Sequence, residues 1–208
     1  MSSFKCILKF LTVFVLICAK CSAAIVLTFG NGGTIDLLPN AAGQVVEFSV
    51  SGGDLFDGLE LDLQVGDGGV DIGGVLTGPS MTAIDLTTNT IFSANGPNQA
   101  NVVAFPLARQ STVDTATAVL ANGIIGRVTF DTTGIGLGNF DLLLTGVAGA
   151  FDTTFFNGAN ALAATVPNGT IRVVPEPSSM AIIIAASAGL VFRRYRKCLA
   201  SGEGTESQ

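Results

Sequence analysis

The run Leu59-Glu60-Leu61-Asp62-Leu63-Gln64-Val65 alternates strictly between apolar and polar residues. A period of two puts four apolar side chains on one face of an extended chain and three polar ones on the other, whereas a helix would scatter them around its axis. The segment therefore reads as a strand with one face on a core and Glu60, Asp62 and Gln64 toward solvent. The same period recurs at Val46, Phe48 and Val50, at Ile124, Val128 and Phe130, and at Phe140, Leu142 and Leu144. Further strands are expected at residues 25–29, 82–86, 101–105 and 169–174. Glycine-rich turns such as Gly52-Gly53-Asp54, Gly66-Asp67-Gly68-Gly69 and Gly134-Ile135-Gly136-Leu137-Gly138 separate them. Eight or nine short strands between such turns predict an all-β chain folded as a single β-sandwich. Only residues 112–122, rich in Ala and Thr, could hold a short helix. No internal repeat is visible.

Both ends of the 208-residue chain differ from this middle. Lys5 and Lys9 precede the apolar stretch Phe10-Leu11-Thr12-Val13-Phe14-Val15-Leu16-Ile17, and Ser22-Ala23-Ala24 follows it. A basic start, a short apolar core and a small-x-small site describe a secretory signal peptide over residues 1–24, cut after Ala24. An uncleaved anchor is the alternative. Lipidation at Cys18 or Cys21 is disfavoured by Ile17 and Lys20 just before them. At the other end, Val174-Pro175-Glu176-Pro177 cannot continue a strand or helix, so the chain leaves its folded domain there. Residues 180–192 carry no charge, and Arg193, Arg194, Arg196 and Lys197 follow within five residues, a stop signal that favours the cytoplasmic side. The uncharged run spans only roughly 20 Å as a helix against a hydrocarbon core of about 30 Å, so by length alone it also suits a buried helix. Snorkelling arginines and local thinning of the bilayer make a short membrane anchor the better account. The polar tail, residues 198–208, rules out a GPI-type anchor, whose apolar stretch must come last.

The order Val-Pro-Glu-Pro-Ser-Ser, apolar run, basic cluster closely resembles the C-terminal sorting signal of bacterial PEP-CTERM proteins. In that family an exosortase, a membrane-embedded cysteine protease, is thought to recognise the signal during export. The resemblance covers residues 174–197 and implies Val174, Pro175, Glu176, Pro177, Arg193, Arg194, Arg196 and Lys197 as the sorting elements. It also implies delivery to the cell envelope and an association with exopolysaccharide and biofilm matrix.

Residues 25–174 form the expected ectodomain, long enough for one domain with a sizeable core. All four cysteines (Cys6, Cys18, Cys21, Cys198) lie outside it. Thirteen carboxylates against Arg109, Arg127 and Arg172 leave it a formal charge of −10. No basic footprint for nucleic acid exists, and an anionic surface suits divalent cations or basic partners. The order of its strands, with Asn122-Gly123-Ile124-Ile125-Gly126-Arg127-Val128-Thr129-Phe130 after a long variable middle, looks like the superfamily of cohesins and type-3 carbohydrate-binding modules. That similarity spans residues 43–147 and implies a nine-stranded jelly-roll sandwich. It does not imply dockerin binding, because one architecture serves many tasks.

The chain contains no histidine, which removes the commonest base and the commonest metal ligand together. With no cysteine in the ectodomain, neither a Ser-His-Asp nor a Cys-His arrangement can form there. Paired carboxylates remain, but the ectodomain's glutamates, Glu47 and Glu60, are both expected on solvent faces. No catalytic residue is assigned. Sugar platforms usually stack rings on Trp or Tyr; Trp is absent, and the one tyrosine is Tyr195. Phe48, Phe105, Phe130 and Phe140 sit at core spacing. Phe151, Phe155 and Phe156 are the one local aromatic cluster, read first as core edge and second as a glycan or protein contact. The acidic series Asp54, Asp57, Glu60, Asp62, Asp67 and Asp71 lies near glycine turns, where oxygen ligands can hold Ca²⁺. It lacks the spacing of an EF-hand, so solvated loop carboxylates are the default and no cofactor is assigned. Asn168-Gly169-Thr170 matches a glycosylation sequon and is read as a turn before the last strand. Together these features describe an exported, non-enzymatic cell-envelope protein of structural or adhesive character. Its expected partners are an exosortase-type protease, the membrane and extracellular polysaccharide. The alternative is a carbohydrate- or protein-binding module of cohesin type.

Overall fold

The computed structural model describes residues 24–146 and 152–175. The thirteen strands are β1 (Ile25–Phe29), β2 (Thr34–Leu37), β3 (Gln44–Ser51), β4 (Leu55–Val65), β5 (Ser80–Asp85), β6 (Asn98–Ala104), β7 (Ala108–Leu120), β8 (Gly123–Asp131), β9 (Gly138–Leu143), β10 (Thr154–Asn157), β11 (Asn160–Ala161), β12 (Ala164–Thr165) and β13 (Gly169–Val173). One sheet has the order β12-β1-β3-β8-β5. The other runs β11-β10-β4-β9-β13-β2, with β7 on the opposite edge of β4 and β6 beyond β7. The surplus over the eight or nine expected strands lies mainly in short segments such as β2, β11 and β12, too brief to show a period. Among the described residues no helix is long and apolar enough to cross a membrane.

Alternation builds the core. Ile25, Leu27 and Phe29 of β1, Phe48 and Val50 of β3, and Val128 and Phe130 of β8 face Leu59, Leu61, Leu63 and Val65 of β4 across the sandwich. Leu142, Phe155 and Ile171 extend the second sheet's share. Phe56 meets Phe92 and Phe155 edge-on, with centroids 5.6 and 5.2 Å apart, the geometry an aromatic quadrupole favours. On the β5/β7 side, polar groups hold the two sheets together. Arg109 Nε donates to the Met81 carbonyl at 2.6 Å. The Gln99 side chain accepts from the Leu86 amide at 2.9 Å and donates to the Ile84 carbonyl at 2.8 Å.

The structure corrects four expectations. Residues 112–122 are not a helix but largely the end of β7, because pairing with β4 on one side and β6 on the other satisfies a backbone that alanine content alone would send into a helix. Ile125, rather than Ile124, enters the core. The β3/β8 register passes from Phe48↔Gly126 to Ser49↔Ile124, so Ile125 is a bulge residue and the inward face shifts by one. Phe105 is exposed in the β6–β7 turn instead of filling the core. Asp62 and Gln64 are buried, not solvated, although they lie on the face of β4 that points away from the sandwich interior.

Candidate functional site

The long central strand β4 and its neighbours β7 and β10 carry the most distinctive surface. Between Phe56 and Gly58 the β4/β7 register jumps from Val119 to Asp114, so residues 115–118 of β7 swing outward. Thr115 Oγ1 donates to the Asp57 and Thr117 carbonyls at 3.2 and 2.9 Å and fixes the excursion. A hollow of about 390 Å³ opens there, walled by Asp57, Glu60, Thr112, Asp114 and Phe156 over the floor at Gly58. A β-carbon at Gly58 would come into ordinary contact with Phe156 Cβ at 3.4 Å, so its absence only deepens the floor.

Three carboxylates line this hollow. Asp57 accepts the Gly158 amide at 2.9 and 3.0 Å, which pins the β10–β11 turn beside it. Glu60 accepts from Gln110 Nε2 across the strand pair, and Asp114 is exposed. The two ion pairs among the described residues lie elsewhere: Arg127–Glu47 at 2.9 Å and Arg172–Asp36 at 2.7 Å. A second, wider concavity of about 820 Å³ includes Asp36 and Glu47 in its wall, so its acidic groups are neutralised by those arginines. Among the described residues no cation forms an ion pair with the carboxylates of the β4/β7/β10 hollow.

Beside the hollow, but not lining it, Asp62 is only 2% exposed. Thr153 Oγ1 bonds both its amide and its carbonyl at 3.0 Å and ties the start of β10 to β4. Among the described residues Asp62 Oδ2 has no hydrogen-bond partner. Burial, reinforced by the neighbouring charge of Glu60, pushes its carboxyl up to about 7.

The rest of the acidic series disperses. Asp67 accepts the amides of Val75 at 2.6 Å, Gly69 at 3.0 Å and Leu76 at 3.1 Å, organising the β4–β5 loop. The Val75 bond leads in holding that carboxyl below the usual range. Asp71 is exposed, four residues further along the loop. Among the described residues no group of three or more carboxylates is placed to hold a metal ion.

Of the expected site residues, Ala24 is exposed just before β1. Val174 donates its amide to the Leu37 carbonyl at 2.9 Å, and Pro175 beside it is half-buried. Glu176, Pro177, Arg193, Arg194, Arg196, Lys197 and Phe151 lie outside the described residues, as do all four cysteines. Phe155 is core, while Phe156 walls the hollow. Asn168 joins the last strand to the end of β9: its Oδ1 accepts the Leu144 and Thr145 amides at 2.8 and 3.0 Å. The hollow itself was missed from sequence. Its one legible trace is Asp57-Gly58, a turn-like pair set inside an otherwise regular strand.

No family model matches the chain, and no curated protein does. Solved structures do. A non-cellulosomal cohesin from the archaeon Archaeoglobus fulgidus superposes with a TM-score of 0.52 at 15% identity, over 76% of this chain and 96% of that one. The seventh type I cohesin of ScaB from Pseudobacteroides cellulosolvens gives 0.50 at 14%, over 73% and 93%. A cohesin solved in a type I cohesin–dockerin complex from Clostridium thermocellum gives 0.50 at 6%, over 74% and 95%. At these identities the likeness shows the fold: the chain is an all-β sandwich of cohesin-like architecture.

Proposed function

We propose that this chain is an exported, non-enzymatic module that binds a protein partner through the acidic hollow on β4, β7 and β10. The observation that carries this is the juxtaposition of Asp57, Glu60 and Asp114 with Phe156 on one concave face, with no arginine paired to them among the described residues. Such a face complements a lysine or arginine side chain set in an apolar surround, and charge complementarity of this kind fixes register and speeds encounter. The likeness to a cohesin solved with its dockerin makes a protein the preferred partner class. One phenylalanine, with no Trp or Tyr, offers little for stacking a sugar ring.

Delivery to the cell surface falls to the two ends. Residues 1–24 act as a signal peptide, and residues 175–197 act as a PEP-CTERM-like sorting signal read by an exosortase-type protease. The basic cluster stays at the inner leaflet until processing. An association with exopolysaccharide and biofilm matrix follows from that sorting class.

The test is affinity capture from cell-envelope extracts with the wild-type protein and with Asp57→Asn/Glu60→Gln/Asp114→Asn. The captured protein is identified by mass and its affinity then measured by calorimetry. A partner whose binding weakens with added salt and is lost in the triple variant supports the reading. Unchanged binding by the triple variant refutes it.

A further inference from the structure

Strand register places the chain's entry and exit at opposite poles of the sandwich. β1 begins beside the end of β3, at Val26↔Ser51. β13 ends at Val173, level with Leu37 and with Gly138 at the start of β9. The start of β3 lies at that exit pole too, through Gln44↔Phe130. So does the start of β5, through Ser80↔Asp131. The β2–β3 and β8–β9 loops are locked together there, with Thr132 Oγ1 donating to the Leu38 carbonyl at 2.6 Å. Pro106, in the β6–β7 turn, accepts the Met81 amide at 2.6 Å at the same end.

Six of the ten exposed large apolar residues among the described residues sit on these exit-pole loops. They are Leu38, Val70, Val75, Leu76, Phe105 and Leu137, and Val75 and Val70 are 82% and 79% exposed. The β4–β5 loop that presents three of them is ordered from within by Asp67, which holds the Val75 and Leu76 amides. An exposed apolar cluster on a held loop marks an interaction surface rather than a frayed edge.

The occupant follows from where the chain goes next. Five residues separate Val174 from Met180, the first of the uncharged run. Fully extended, they reach at most about 20 Å. If residues 180–192 lie in a bilayer, the exit pole is kept within about 20 Å of its surface. The charged groups carried by these loops are carboxylates, Asp67 and Asp71, with Asp131 at their margin. They would be repelled by anionic headgroups.

We propose that the exit pole is a lipid-docking surface, seating Val70, Val75, Leu76 and Leu137 in the headgroup region of a zwitterionic bilayer. This rests on the membrane reading of residues 180–192. Docking would fix the sandwich upright on the membrane, with the entry pole outward and the acidic hollow facing sideways.

The chain contains no tryptophan, so one introduced indole reports its own surroundings. The full-length protein is reconstituted in phosphatidylcholine vesicles carrying brominated acyl chains, as three separate variants: Val75→Trp at the exit pole, Leu55→Trp at the entry pole and Phe192→Trp in the uncharged run. The proposal expects blue-shifted, strongly quenched emission from Val75→Trp and Phe192→Trp, and none of either from Leu55→Trp. Quenching at position 192 without quenching at 75 overturns the docking surface and leaves the anchor standing. A blue shift at 75 without bromine quenching means contact with another protein copy and also overturns it. Equal quenching at 55 and 75 removes the polarity on which it depends. No quenching at any position sinks both the anchor and the docking surface.

Discussion

Replacing Asp62 with asparagine removes a charge that the fold buries with too few partners, and the size of the effect can be worked from the structure. The carboxyl is 2% exposed, has one oxygen without a partner among the described residues, and is pushed up to about 7 by burial. In the unfolded chain it titrates near about 3.9. Below about pH 4 the group is protonated in both states and imposes no penalty. As pH rises toward 7 the unfolded chain releases the proton and the folded chain keeps it, so stability falls by up to about 1.4 kcal/mol per pH unit. Above pH 7 the loss is complete, with a ceiling of about 4 kcal/mol. The neighbouring charge of Glu60 contributes to this shift, so part of the penalty should also vanish in Glu60→Gln. The assay is urea denaturation of the wild type and Asp62→Asn at intervals from pH 4 to pH 8. Carboxylates held low, such as Asp36 and Asp85, act below this window and in the opposite sense, and both proteins carry them. A constant offset from the new amide leaves the pH dependence untouched. The difference in unfolding free energy should therefore shift steadily in favour of the variant as pH rises. Parallel curves would refute the placement of a buried, under-partnered carboxyl on β4.

Other substitutions probe the packing and the ends. Phe56→Ala empties the site where one ring meets Phe92 and Phe155 edge-on; thermal denaturation should show a loss of about 3–5 kcal/mol. Gly169→Ala would place a β-carbon 2.2 Å from the Gly33 carbonyl and 2.5 Å from the Phe29 ring. It should cost about 1–3 kcal/mol or more, visible as a lower denaturation midpoint. The intact mass of the protein recovered from the cell envelope should lack residues 1–24, and it shows whether the segment after Val174 is retained or removed. A full-length mass in a soluble cytosolic fraction would contradict the sorting assignment.

Much of this fold could be read from side-chain alternation, because a half-covered strand writes its period directly into the sequence. β4 covers the run whose period predicts it and β1 falls at the expected residues 25–29, and their apolar faces form the core. Alternation misleads where register changes. At Ile125 a bulge exchanges the inward and outward faces, and nothing in Ile124-Ile125 distinguishes the two residues. Residues 112–122 mislead for a different reason. Thr112, Val113, Thr115, Thr117 and Val119 suit a strand, but the intervening alanines suit a helix equally, and only the partners β4 and β6 decide. Burial of Asp62 is likewise a tertiary matter: Thr153, ninety-one residues away, bonds its backbone. The acidic hollow was illegible for the same reason, since it arises from the unequal lengths of β4 and β7 between two paired positions.

The claim that the β4/β7/β10 face receives a cationic protein segment can be tested without knowing the partner. An isotope-labelled sample is titrated with a short arginine-rich peptide while its amide resonances are followed. The account predicts saturable shifts concentrated at Asp57, Gly58, Glu60, Asp114 and Phe156, and their loss in Glu60→Gln/Asp114→Asn. Shifts spread evenly over the surface carboxylates, Asp71 and Asp141 among them, would show that the hollow has no special affinity and would contradict it.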